Sequence, residues 1–187
     1  MSRERFVELM TPALSRFSQD LKSVLRIVED PEVDDESRVA AAGALLHVIS
    51  STGAIPGVRG VLRHLGDVLS IRLVLHDVRE RSPDAFQKHL QESPEMFEPL
   101  SDELDAARAY LDDRVSVLES VVEKFPKLNH QGHQATECIE DTESSTWLYD
   151  AVHEVLIDEI DFDEEDVVRE LKQVDLILAP LSSRVRR

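Results

Sequence analysis

The chain has 187 residues, 42% of them apolar, 32% charged and only 5% aromatic, with a formal net charge of −17. That length and apolar content suffice for one ordinary domain with a real core, and six Gly and eight Pro argue against a low-complexity chain. The single Cys, Cys138, excludes an intrachain disulfide, and no apolar run of signal-peptide type follows the mixed-charge start, so a cytoplasmic protein is expected.

Phe6, Leu9, Met10, Ala13, Leu14, Phe17, Leu21, Val24, Leu25 and Val28 recur at three- and four-residue steps, which predicts a helix. Thr11-Pro12 lies inside that stripe and predicts either a start, with Thr11 as cap, or a kink. A second helix opens on Asp34-Asp35-Glu36 and runs to about Ser50. Its Ala40-Ala41-Ala42 run, with Val39, Ala44, Leu45, Leu46, Val48 and Ile49, makes it apolar nearly all round and therefore buried. A third helix follows Gly60, with Val61, Leu62, Leu65, Val68, Leu69, Leu73 and Leu75 on it. Ser82-Pro83-Asp84 opens a short helix, and Ser93-Pro94-Glu95 opens the next.

That next helix is expected to be the longest. Phe97, Leu104, Leu111, Leu118 and Phe125 repeat every seven residues, with Leu100, Ala107 and Val121 between them and Arg114 interrupting. Tyr110, Val115 and Val122 widen the stripe beyond a coiled-coil seam, so a bundle helix about 43 Å long is expected. Residues 127–143 read as a polar loop without structure of its own. Trp147, Leu148, Ala151, Val152, Val155, Leu156 and Ile160 resume helical spacing. A last helix carries Val167 to Leu178, ends at Pro180 and leads to a basic tail of Arg184, Arg186 and Arg187. No strand pattern is evident.

Between the second and third helices lies the corner Ser50-Ser51-Thr52-Gly53-Ala54-Ile55-Pro56-Gly57. With Asp67 in the following helix, it resembles a degenerate copy of the YkvA-like helical hairpin, a family of unknown function. That family's corner reads Ser-Pro-x-Asp-x-Ile-Pro-Asp, then Pro and Gly-x-x-Asp-Asp. Ser50, Ile55, Pro56 and Asp67 keep register. Ser51 stands for Pro, Gly53 and Gly57 for Asp, Gly60 for Pro, Arg63 for Gly, and Gly66 for the first of the paired Asp. The resemblance covers about residues 40–75 and implies a paired-helix element turning at Gly53 to Gly57. Val39 to Val58 holds no charged residue over 20 positions, enough to span about 30 Å of hydrocarbon. Its polar Gly/Pro corner would break the helix at mid-membrane, so membrane contact is expected to be at most peripheral.

Three clusters carry side chains suited to chemistry. His130 and His133, with Cys138 nearby, offer metal donors, but their spacing matches no standard zinc module and a polar surface loop is the expectation. Asp150 and His153 stand three apart on one helix, the spacing of an acid–base pair or of a plain helix-face hydrogen bond. Asp161-Phe162-Asp163-Glu164-Glu165 lacks the central Gly of a calcium loop and reads as acids opening a helix. No cofactor is expected.

The charge is uneven. Residues 92–170 hold 24 Asp/Glu against 5 Lys/Arg, whereas residues 1–91 hold 13 against 12. Such an acidic half repels phosphates and disfavours nucleic acid. It offers a docking face for a basic protein partner, with Asp112, Asp113 and Glu119 as its representatives on the long helix. The expected fold is all-α, a single-domain helical bundle of about six helices over residues 1–187, with a buried hairpin at 40–75 and an acidic helical half at 92–180. The expected role is a non-enzymatic interaction or scaffold protein. A metal-dependent helical enzyme and a peripheral membrane protein are the alternatives, and a homo-oligomer is compatible with the pattern.

Overall fold

Residues 2–158, 160 and 162–185 are described by a computed structural model, and its regular structure is almost entirely helical. Helix α1 (Ser2–Ser15) and α2 (Phe17–Glu29) carry the first apolar stripe. The helix does not start at Thr11-Pro12. Pro12 lies inside α1, Thr11 Oγ1 donates to the Val7 carbonyl at 2.8 Å, and the helix breaks instead at Arg16 (φ −96°, ψ 3°). Helix α3 (Asp35–Ile49) is capped by Asp34, whose carboxylate accepts from the Ser37 amide at 3.0 Å.

Helix α4 (Val61–Arg81) packs on α3. The Ser82 hydroxyl donates to Asp34 at 3.0 Å, joining the end of α4 to the start of α3, while His47 meets Asp67 at the other end. The two helices are therefore antiparallel. The first turn of α4 presents an open amide at Val61, which donates to Glu170 at 2.8 Å, a carboxylate on a helix N-terminus. Gly60, at φ +64°, makes this close approach feasible, because a Cβ there would sit 2.7 Å from that carboxylate.

Short helices α5 (Pro83–Glu92) and α6 (Pro94–Phe97) follow, each with Pro in its first turn. The expected long helix is two: α7 (Leu100–Leu111) and α8 (Val115–Val122), joined by a 3₁₀ turn over 112–114. Asp112 adopts φ +55°, ψ −130°, which ends α7 outright. Arg114 gives the physical reason. A helix continued through Leu111 would carry its guanidinium into the apolar seam. The break lets it donate to the Leu111 carbonyl at 3.2 Å and to Ser182 at 2.6 Å instead. Leu104, Leu111, Leu118 and Phe125 are all buried regardless, so the seven-residue spacing survives the break.

The segment read as an unstructured loop is ordered. Strands β1 (Asn129–His130) and β2 (His133–Gln134) pair antiparallel across Gln131 and Gly132, both at positive φ, the geometry of a two-residue hairpin turn. Helix α9 (Glu137–Glu140) and α10 (Thr142–Asp158) come next. The expected last helix divides into α11 (Glu164–Leu171), a 3₁₀ turn over 174–177 and α12 (Leu178–Ser182), with Pro180 inside α12 rather than beyond it. Asp163 caps α11 by accepting from the Glu165 amide at 3.1 Å. Asp161 of the supposed calcium loop and Arg186 and Arg187 of the basic tail lie outside the described residues. Helical length is thus shared among more and shorter segments than the six expected.

One apolar core joins these segments, with Phe6, Leu45, Leu65, Leu104, Leu148 and Leu181 all buried in it. Two features constrain it. Arg72, in the middle of α4, has no exposed surface; it donates to Asp20 on α2 at 2.8 Å and to Glu103 on α7 at 2.5 Å. Burial opposes the Arg72 charge, yet the two carboxylates outweigh it and hold the guanidinium pKa above its ordinary value. Gly43 on α3 lies against Phe125, so that a Cβ would stand 2.1 Å from the Phe125 carbonyl oxygen.

Two stability outcomes follow. Arg72→Ala leaves buried Asp20 without an ion pair and buried Glu103 with only Arg16 at 3.8 Å, and should destabilise the fold by about 3–5 kcal/mol in urea denaturation. Arg72→Met combined with Asp20→Leu and Glu103→Leu should recover part of that loss, since no unpaired acid then remains inside. A triple variant no more stable than Arg72→Ala would refute this account. Gly43→Ala should cost about 1–3 kcal/mol through the clash with backbone at Phe125; an unchanged urea midpoint would show that the two segments separate freely.

Candidate docking cleft

Helix α8 packs on α4, and α9 packs on α3. Where these four elements meet with the end of α7, they leave an open cleft of about 830 Å³. Its floor is apolar: Val39 and Ala40 from α3, Leu73 from α4, Val122 from α8, Ile139 from α9, and Pro126. Ala40, Leu73, Val122 and Ile139 pack against the core and still show surface, while Val39 is buried and Pro126 is exposed.

The rim is acidic. Asp35, Glu36, Asp77, Glu119, Glu123 and Glu140 line it, against Arg81, Arg108 and His76. Much of the positive charge is already engaged: Arg81 pairs with Glu36 and Asp34, and Arg108 with Asp105 at 3.6 Å. Asp35 pairs with Arg38 at 3.3 Å. Asp77, Glu119, Glu123 and Glu140 are exposed and have no ion pair among the described residues. The cleft therefore combines uncovered apolar surface with unneutralised negative charge.

Of the three residues taken to represent the acidic face, Glu119 lines this cleft. Asp112 and Asp113 do not; they sit exposed at the break between α7 and α8, where Asp113 approaches Arg114 at 3.8 Å. The sequence reading missed Glu123, Glu140 and Asp77. The four-residue step from Glu119 to Glu123 was the available signal for two of the acids on one helix face.

The hairpin corner is built differently from a tight polar turn. The chain between α3 and α4 folds back so that Ala54 and Ile55 are buried, with Ile55 against Gly66, where a Cβ would be 2.9 Å from Ile55 Cγ1. The Ser50 hydroxyl donates to the His47 carbonyl at 2.8 Å and lies 2.7 Å from Thr52 Oγ1. Gly53 and Gly57 take φ +72° and +74°, and Pro56 stays partly exposed between them. Asp67 is buried beneath this corner between two histidines: His64 Nδ1 at 3.2 Å and His47 Nε2 at 3.6 Å. Phe17 and Phe162 flank His64, while Phe125 flanks His47. The His64-x-x-Asp67 spacing on one helix was legible and went unread.

His130 and His133 face each other across the β1–β2 pair, both near Trp147, but with Cys138 they form no group placed to hold a metal ion. The His133 ring stacks on Trp147 at 4.2 Å and its Nδ1 lies 2.9 Å from the Ser144 hydroxyl. Cys138 points into the core, and burial, aided by Glu137, pushes its thiol up to about 11. His153 Nδ1 contacts the Tyr149 carbonyl at 2.8 Å rather than Asp150. Among the described residues no group of three His, Cys, Asp or Glu side chains is placed to hold a metal ion, and no helix is long and apolar enough to cross a membrane. Compared with known proteins, the chain matches no family model, no curated protein and no solved structure.

The buried corner has a pH consequence. Desolvation lowers the His47 pKa below its ordinary value, with Asp67 opposing in part. The folded state then binds fewer protons than the unfolded state. The His47 contribution to stability is complete above about pH 6.5 and is lost as pH falls through the unfolded and then the folded pKa. The urea midpoint should therefore drop between about pH 7.5 and pH 5.5, and His47→Gln should shrink that drop. Equal drops in the two proteins would exclude His47 as the source.

Proposed function

We propose that the protein is a non-enzymatic interaction module, a single cytoplasmic helical domain over residues 1–187 that docks a basic protein partner in the cleft between its α3–α4 hairpin and its acidic half. The hairpin is read as a degenerate YkvA-like element whose corner residues Ser50, Gly53, Ile55, Pro56, Gly57 and Asp67 serve the fold. The observation that carries the reading is the pairing, in one place, of an apolar floor with four acids that have no ion-pair partner. Charge of that kind raises the on-rate of an oppositely charged protein and is screened over about 8–10 Å at physiological salt, while apolar burial sets how long the complex lasts.

The test separates place from charge. Glu119→Lys with Glu123→Lys changes the net charge as much as Asp112→Lys with Asp113→Lys does, but only the first pair lines the cleft. Affinity capture from the source cell identifies a partner; association kinetics with that partner are then measured for wild type and both variants. The Glu119/Glu123 variant should slow association at least several-fold and abolish its salt dependence, while the Asp112/Asp113 variant stays near wild type. Equal effects of the two pairs would reduce the acidic half to an undifferentiated solvated surface.

A further inference from the structure

We infer that the occupant of the cleft is a basic amphipathic α-helix, its apolar stripe seated on Leu73, Val122 and Ile139 and its Lys and Arg residues facing Glu119, Glu123 and Glu140. This rests on the docking role proposed for the cleft and adds the conformation and patterning of what docks there.

The floor speaks first. Leu73, Val122 and Ile139 come from three different helices, each packs on the core, and each keeps part of its surface uncovered in the same concavity. A row of partly exposed apolar side chains in a groove between helices is the receiving half of ridge-into-groove packing. A polyamine or a lone cationic side chain would satisfy the acids and leave this floor wet, so the floor asks for an apolar stripe.

The acids speak second. Glu119 on α8 and Glu123, the residue that caps its C-terminus, stand four residues apart, and α8 packs on α4; Glu140 stands on α9, which packs on α3. Negative charge thus flanks the floor from both sides of the hairpin. The complement is an apolar stripe bordered on both flanks by positive charge, the pattern of a basic amphipathic helix.

Backbone chemistry decides between helix and extended chain. A β-strand occupant gains its main-chain hydrogen bonds from an open strand edge. The strand pair among the described residues, Asn129–His130 with His133–Gln134, does not line the cleft. A helix brings its own backbone hydrogen bonds and needs no edge.

The experiment uses the full chain and two fluorescein-labelled peptides of about 15 residues made of the same numbers of Leu and Lys. One places Leu at i, i+3, i+4 and i+7, giving a helical stripe; its isomer alternates Leu and Lys, giving a stripe only when extended. Binding is read by fluorescence anisotropy against wild type, Glu119→Lys/Glu123→Lys, Val122→Asn and Asp112→Lys/Asp113→Lys. The helical-stripe peptide should bind wild type at least about tenfold more tightly than its isomer. It should lose that binding in the Glu119/Glu123 variant, weaken about fivefold or more in Val122→Asn, and be unaffected in the Asp112/Asp113 variant. Equal or tighter binding of the alternating isomer overturns the helical occupant; if both peptides are then lost in the Glu119/Glu123 variant, docking in the cleft stands without it. Failure of the helical-stripe peptide to bind wild type also overturns the inference. Binding that persists in the Glu119/Glu123 variant overturns both it and the docking role of the cleft.

Discussion

Everything in this molecule is arranged around a charge that has no access to water. Arg72 sits in the centre of α4 with its guanidinium held by Asp20 and Glu103, and Arg16 approaches Glu103 from the α1–α2 junction at 3.8 Å. A buried ion is tolerable only when its partners are placed to the tenth of a nanometre, so this cluster fixes α2 and α7 relative to α4 in register and in rotation. Apolar packing alone would tolerate sliding, because leucine and valine on one helix meet leucine and valine on the next at many offsets. The ionic cluster removes that freedom, a specificity role that buried ion pairs serve in some other folds.

With α7 and α4 pinned, the break at Asp112 becomes constructive. Helices α7 and α8 both pack on α4. The turn at 112–114 changes the course of the chain between them, and the segment that follows places Glu119, Val122 and Glu123 in the cleft beside the hairpin. Pro126 and α9 then close the other side. The cleft is thus a product of the hairpin and the acidic half jointly, and neither sequence region contains it alone.

How much of this was readable beforehand depends on whether the signal was local. Apolar spacing marks α1 to α4 and α10 well, because a buried helix face writes itself into three- and four-residue steps. Asp34 as a cap was legible for the same reason: its partner, the Ser37 amide, lies three residues away. The break at Asp112 was not legible from the heptad spacing, since all its members stay buried; only Arg114 in a core slot hinted at it. The cleft was invisible, because Ile139 lies in a four-residue helix inside a segment that has no period, and its nearness to Leu73 is a tertiary fact. Asp67 was singled out by a family resemblance; His64 stands three residues before it on the same helix and was a local signal, whereas His47 comes from the other arm of the hairpin and reaches it only after folding.

The contact between Gly43 and Phe125 links the interior to the cleft. Phe125 is followed directly by Pro126, which lines the cleft, and the Phe125 carbonyl stands where a Cβ at position 43 would lie. Any side chain at position 43 would push that carbonyl outward and carry Pro126 and the end of α8 with it. The absence of a side chain at Gly43 thus bears on where one lining residue of the cleft sits. A residue that touches no partner would then register in a binding screen as though it did, by spoiling the calibre of the groove.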